Sequence, residues 1–230
     1  MAGAQKEVVI GDCRLILGDS TKLVSTSALA GYVAVLSDPP YGIGYSSGYA
    51  TDELWSEDAI RNDEDTHTRD YVLEHLDQSV PMLVFGSRKR APPPGTRMVL
   101  TWDKGPALGM GDLSLPWKPS SEEIYVLGSG FVGKRDESNV IYHPPVQSMA
   151  KNGRLHPNEK PVGLLAKLMR KLPLGCILDP FMGSASCGEA CMKAGRAFIG
   201  VEDDPAYFDI AVTRLQAIHR QMDLFAQPAA

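Results

Sequence analysis

No apolar run in this sequence approaches the roughly 20 residues needed to span a bilayer, and the N-terminus shows no apolar signal-peptide segment. A cytoplasmic, unprocessed protein is expected. Cysteine is scarce. Cys13, Cys176, Cys187 and Cys191 form no CxxC pair and no spaced Cys/His cluster, which argues against a disulfide frame and a zinc site. No metal is expected, and the cysteines read as small buried residues. Excess positive charge is also missing: the formal net charge is −5, so the sequence-wide basic surface of many nucleic-acid binders is absent. Only local basic runs stand against that, namely Arg88-Lys89-Arg90, Lys134-Arg135, Lys151 with Arg154, and Lys167 with Arg170 and Lys171. Each alone reads most simply as a solvated face. Two phosphate-binding signatures fail as well. There is no G-x-G-x-x-G, and Gly188 is followed by Glu189 where a P-loop needs Lys.

What is present is ordinary globular material. The 230 residues are 43% hydrophobic and 22% charged, enough for one substantial α/β core. Apolar runs predict strands at residues 6–10, 14–17, 32–37, 81–85, 97–102, 122–127, 176–178 and 197–201. Amphipathic stretches predict helices over 161–172, over 184–194 with Gly195 as C-cap, and from Pro205 onward with Asp204 as N-cap. Strands alternating with helices imply a parallel sheet covered by helices. Residues 42–65 and 128–155 read as long loops.

Several motifs sit where such a sheet would bind a ligand. The strand ending at Ser37 runs straight into Asp38-Pro39-Pro40-Tyr41. Two prolines stop the strand and stiffen the corner beyond it, so a carboxylate, a carbonyl and an aromatic ring are held at the carboxyl edge. A rigid corner with a capping Asp is the plain alternative. A second strand ends in Asp179-Pro180-Phe181-Met182-Gly183-Ser184, a turn followed by a helix. A third ends at Glu202, whose carboxylate at a strand tip can take both hydroxyls of a ribose. His156-Pro157-Asn158-Glu159-Lys160-Pro161 precedes a helix by one turn. Near the N-terminus, Gly18-Asp19 closes a strand, where a turn role competes with a ligand role.

Together and in this order, these motifs resemble the circularly permuted beta class of S-adenosylmethionine-dependent DNA amino-methyltransferases, the N6-adenine/N4-cytosine family. That family's motifs read (D/N/S)PP(Y/F/W), H-P-T-x-K-P and D-P-F-x-G-x-G. Here Asn158 replaces the usual Thr, and Ala185 stands where a second Gly is usual. The resemblance implies a Rossmann-like class I methyltransferase fold, with a mostly parallel sheet and helices on both faces. It implies that the Asp38 side chain and the Pro39 carbonyl accept hydrogen bonds from an exocyclic base amine, freeing its lone pair for in-line attack on a methyl group. Pro40 belongs to the same corner, and Tyr41 would stack on the flipped target base. Cofactor contacts are implied for Asp19, His156, Asn158, Lys160, Asp179, Phe181, Gly183, Ser184 and Glu202. Lys160, just before a helix N-terminus, would take the cofactor carboxylate.

A single catalytic domain is expected over residues 1–220, with residues 106–154 as a short target-recognition insert. Lys134, Arg135, Lys151 and Arg154 are its candidates for DNA contacts. So small a reader implies a short or relaxed target, or a homodimer that shares recognition. Residues 221–230 are expected to be a flexible tail. Within it Gln221, Asp223, Leu224 and Phe225 resemble the Q-x-(S/D)-L-F peptide that docks bacterial proteins on the replication sliding clamp, although a fraying helix end fits as well. The favoured expectation is adenine-N6 methylation of DNA, because Asp at the first motif position tilts away from cytosine. Cytosine-N4 methylation, RNA methylation and a weakly active DNA- or clamp-bound accessory protein are the rivals.

Overall fold

Strands that are apolar on both sides need cover on both faces, and the chain provides it. The computed structural model describes residues 4–42, 65–106, 114–146 and 159–226, with side chains to residue 222. Its strands are β1 (Ala4–Ile10), β2 (Cys13–Gly18), β3 (Tyr32–Ser37), β4 (Met82–Gly86), β5 (Met98–Asp103), β6 (Ser121–Leu127), β7 (Val140–Tyr142), β8 (Cys176–Asp179) and β9 (Phe198–Glu202). They form one sheet in the order β1-β2-β9-β8-β3-β4-β6-β5-β7. β1 and β6 run against their neighbours, and the other strands share one direction. The sheet is therefore mostly parallel, as expected.

Side chains alternate between two cores. Leu15, Ala34, Leu36, Leu83, Phe85, Ile177 and Phe198 point into one, while Ile16, Val35, Met82, Val84, Leu178 and Ile199 point into the other. The first core is covered by α3 (Val162–Met169), α4 (Ser186–Lys193) and α5 (Pro205–Ala226), the second by α1 (Ser20–Leu23) and α2 (His67–His75). Helices on both faces make this a Rossmann-like, doubly wound α/β fold, as expected. The small inner face of α4 lets it lie close to its neighbours: a Cβ at Gly188 would stand 2.9 Å from Phe198 and 3.0 Å from Leu215.

Three differences from expectation have a local physical reason. Strand β7 lies within a stretch read as loop, because only Ile141 of its residues is buried and no pattern marks it. Helix α4 starts at Ser186 and not at Ser184, because Ala185 ahead of it is left-handed (φ 59°, ψ 40°). Helix α5 continues to Ala226, so its backbone carries on through residues assigned to the tail. Among the described residues no helix is long and apolar enough to cross a membrane. No group of His, Cys, Asp and Glu among them is placed to hold a metal ion.

Candidate active site

The chain leaves β3 toward β4 on one side of the sheet, and leaves β8 toward β9 on the other. β3 and β8 are neighbours, so their carboxyl ends border the crevice where strand order reverses and doubly wound sheets bind ligands. Both principal motifs open there, one from each strand. They are tied together by Ser37, whose hydroxyl donates to Asp179 Oδ1 at 2.6 Å.

At the Asp38 corner, Pro39 is buried while Asp38, Pro40 and Tyr41 are half-buried. The Tyr41 hydroxyl donates to Asp38 Oδ1 at 2.8 Å, and the Lys160 ammonium donates to Asp38 Oδ2 at 2.7 Å. Lys160 is itself buried and stands 5.3 Å from the Tyr41 ring centroid and 5.1 Å from that of Phe85. Burial pushes the Asp38 carboxyl upward, with Lys160 acting against it. Burial would lower Lys160, but the Asp38 and Glu122 carboxylates more than offset it and hold the ammonium protonated. Tyr41 is pushed well up by burial and then by the same carboxylates, so it remains a donor. Beyond the corner, Arg90 Nε donates to the Gly42 carbonyl at 2.6 Å and anchors the chain where it leaves the motif.

Around β8 and β9 lies a second group. Asp179 is buried and accepts from the Phe181 amide at 3.1 Å as well as from Ser37. Burial raises its carboxyl to about 7. Glu202 accepts from the amides of Gly183 and Asp204, each at 2.9 Å, and burial raises it to about 8. Among the described residues neither carboxylate forms an ion pair. Gly183 has φ 50°, and Ala185, at the position where the resemblance has a second Gly, is the one described non-glycine residue with positive φ. Phe181 packs against the second core. Ser184 is buried, and Arg214 of α5 reaches its carbonyl and hydroxyl at 3.4 Å. The same guanidinium binds Glu159 and Glu189, each at 2.6 Å. Asp19 accepts from the Thr21 amide at 2.9 Å and caps α1. The adjacent Ser20 hydroxyl donates to the Pro180 carbonyl at 2.5 Å, which puts Asp19 beside the same loop. Asp204 accepts from the Ala206 amide at 2.7 Å, the cap read for it in the sequence.

Asp38, Pro39, Pro40, Tyr41 and Lys160 thus meet in one place, with Asp19, Asp179, Phe181, Gly183, Ser184 and Glu202 along the same edge. Lys160 is the displaced member, since it pairs with the catalytic corner. Lys134 and Arg135 are elsewhere. Their loop follows the end of β6, where Leu127 pairs with Met82 at the amino end of β4. The loop is held down by Lys171, which donates to the Lys134 carbonyl and to Asp136, each at 2.7 Å. That is the opposite edge of the sheet from Asp38. His156, Asn158, Lys151 and Arg154 lie outside the described residues, as do the side chains of Asp223, Leu224 and Phe225. Gln221 lies in α5 and is exposed. Glu122, absent from the sequence-based candidates, pairs with Lys104 and lies 3.4 Å from Lys160. Its neighbourhood depends on sheet order, which no local pattern encodes.

Residues 95–213 match the family N6_N4_Mtase, described as DNA methylase. The chain is 27% identical to a putative methylase, YubD, of Escherichia coli K12, over 91% of this chain and 92% of that protein. Its fold is similar to that of M1.HpyAVI in complex with SAM (TM-score 0.60, 19% identity, 88% of this chain and 98% of that one). It is similar also to that of the cytosine-N4-specific PvuII DNA methyltransferase (TM-score 0.63, 13% identity, 95% and 96%).

Proposed function

The chain belongs to the DNA methylase family, and within it we propose an enzyme that transfers a methyl group from S-adenosylmethionine to the N6 amine of adenine in duplex DNA. The observation that carries this reading is the Asp38 carboxylate, held by Tyr41 and Lys160 at the switch point and linked through Ser37 to the Asp179 loop. The loop residues fit the cofactor. Asp179 and Glu202 are carboxylates with no cationic partner among the described residues, set at strand tips, and they complement a positively charged ligand that carries ribose hydroxyls.

When bound, the cofactor supplies an electrophilic methyl group on a sulfonium. The protein's part is to prepare the amine. An adenine amine is a weak nucleophile because its lone pair is delocalised into the ring. Asp38 and the Pro39 carbonyl accept its two N–H groups, which draws the nitrogen toward a tetrahedral shape and localises the lone pair. The two prolines hold both acceptors still, so little reorganisation accompanies attack. Base flipping brings the amine to this corner, with Tyr41 as the stacking surface. The sliding-clamp reading of Gln221, Asp223, Leu224 and Phe225 and the homodimer reading are proposals that rest on the resemblance and on the small reader respectively.

The test is nucleoside mass spectrometry on DNA incubated with the protein and labelled cofactor. N6-methyladenine is the expected product. N4-methylcytosine, the product class of the PvuII enzyme, label confined to RNA, or no label at all would each overturn the proposal. Asp38→Ala should abolish transfer while cofactor binding stays nearly intact.

A further inference from the structure

We propose that Glu122 is a positioning residue for methyl transfer: it gives Lys160 and Tyr41, the two donors on Asp38, a second acceptor, so that a carboxylate oxygen can be released to the target amine. The proposal rests on the reading of Asp38 as the amine acceptor and names a part of the site that no motif contains.

In this structure both Asp38 oxygens already have donors inside the protein, Tyr41 on Oδ1 and Lys160 on Oδ2. A buried ammonium facing one carboxylate alone forms a tight contact pair, because little solvent screens the attraction. Such a pair would compete with the amine for the lone pairs that transfer requires. Lys160 does not face one carboxylate alone. Glu122 Oε2 lies 3.4 Å from its ammonium, beside the 2.7 Å contact to Asp38. The same Glu122 oxygen lies 3.3 Å from the Tyr41 hydroxyl, so both donors to Asp38 have an alternative acceptor in the same residue. Glu122 is in turn balanced by Lys104 on its other oxygen. The groups alternate in sign from Asp38 through Lys160 and Glu122 to Lys104, and their formal charges cancel. When an amine approaches Oδ2, Lys160 can shift toward Glu122 and stay paired while the amine N–H takes its place on Asp38.

Sheet order makes this possible. β6 runs antiparallel to β4, so its first residues lie at the carboxyl ends of β3 and β4, where Asp38 sits. Lys104 follows the end of β5 and donates its amide to the Ser120 carbonyl, which fixes it beside Glu122.

Among the described residues, the charged and titratable groups facing Asp38 are Lys160, Tyr41 and Glu122, with Asp179 across the crevice. Glu122 raises the Asp38 carboxyl and Lys160 lowers it. In Glu122→Gln the Lys160 ammonium loses its second carboxylate and acts more strongly on Asp38. The expected result is a kcat lowered about ten-fold or more, with KM for cofactor and DNA within about two-fold. The acid limb of the pH–kcat profile should move down, by about half a unit or more. Glu122→Asp, which keeps the charge, should restore the limb and part of the rate. Lys104→Met gives the opposite sign. Without its counter-ion Glu122 draws Lys160 harder, and the acid limb should move up. This second variant alters a side chain at the rim of the site, so it keeps the test open if Glu122→Gln does not fold. Unchanged limbs in the variants that fold, or equal rises in KM with kcat preserved, would overturn the proposal. Wild-type protein that transfers no label would instead overturn the proposed function, so that measurement comes first.

Discussion

Asp179 and Glu202 carry the most informative titrations in the molecule. Burial raises them to about 7 and about 8, against 3.8 and 4.5 for the same groups in solvent. Each binds its proton more tightly in the folded chain than in the unfolded one. The stability they contribute is therefore whole below about pH 4 and is lost as pH rises through 7 and then 8. Thermal unfolding of the cofactor-free protein should show it: moving from about pH 6 to about pH 9 lowers the wild-type Tm more than that of Asp179→Asn. Added S-adenosylmethionine should raise Tm more at the higher pH, where both carboxylates are ionised and attract a cation. Identical pH slopes in wild type and Asp179→Asn would show that Asp179 ionises as it does in water. Ala185 belongs to this scale too. A left-handed alanine costs about 1 kcal/mol that glycine would not, and its buried methyl, packed in the first core, offsets part of that.

Among the elements, α5 is more than a cover for the sheet. Its Arg214 binds Glu159 ahead of α3, Glu189 in α4 and the Ser184 carbonyl in the loop between β8 and α4. One guanidinium therefore ties together the two segments read as cofactor-binding, and all three charged side chains are at most 11% exposed. Arg214→Met removes the guanidinium shared by the buried Glu159 and Glu189, leaving Glu189 only Lys193 on its other oxygen, and should cost about 3 kcal/mol in urea unfolding, with much of the loss recovered when Glu159→Gln and Glu189→Gln are added. No recovery would mean that the loss came from packing and not from charge. Most elements were legible because their patterns are strong. Tyr32–Ser37 and Phe198–Glu202 are apolar runs cut short by charge or proline, and the stripe of Phe208, Ala211 and Leu215 has helical spacing. Helix α2 was not legible: only Arg69, Val72 and Leu73 are buried in it, and no side chain caps its start.

At the scale of the whole molecule, the motifs of β3, β8 and β9 lie along one edge, while the positions of the basic residues had to come from topology. Lys134 and Arg135 look like nucleic-acid contacts in the sequence, yet their loop is pinned at the amino edge. Lys89 follows β4 and Lys118 precedes β6, so both stand exposed at the edge that holds Asp38. Lys89→Ala with Lys118→Ala should reduce the slope of log K for DNA against log salt by about 0.9 for each phosphate contact removed, while Lys134→Ala with Arg135→Ala leaves it unchanged. Equal reductions from both pairs would reject a single DNA-facing edge. Glu122 was illegible for the same reason as these lysines. Its spacing from Asp38 along the chain says nothing until β6 is known to lie beside β4.

The pairing of β3 with β8 and of β2 with β9 also sets when the enzyme comes into being during synthesis. Strand β3 ends at residue 37 and waits for β8, which begins at residue 176, and β2 waits for β9 at residue 198. A nascent chain emerging from the ribosome therefore exposes its Asp38 corner long before the partner strands exist. The Asp38 corner and the Asp179 loop close in one late, long-range event. Chains cut short by premature termination before β9 thus carry the Asp38 motif without the enzyme.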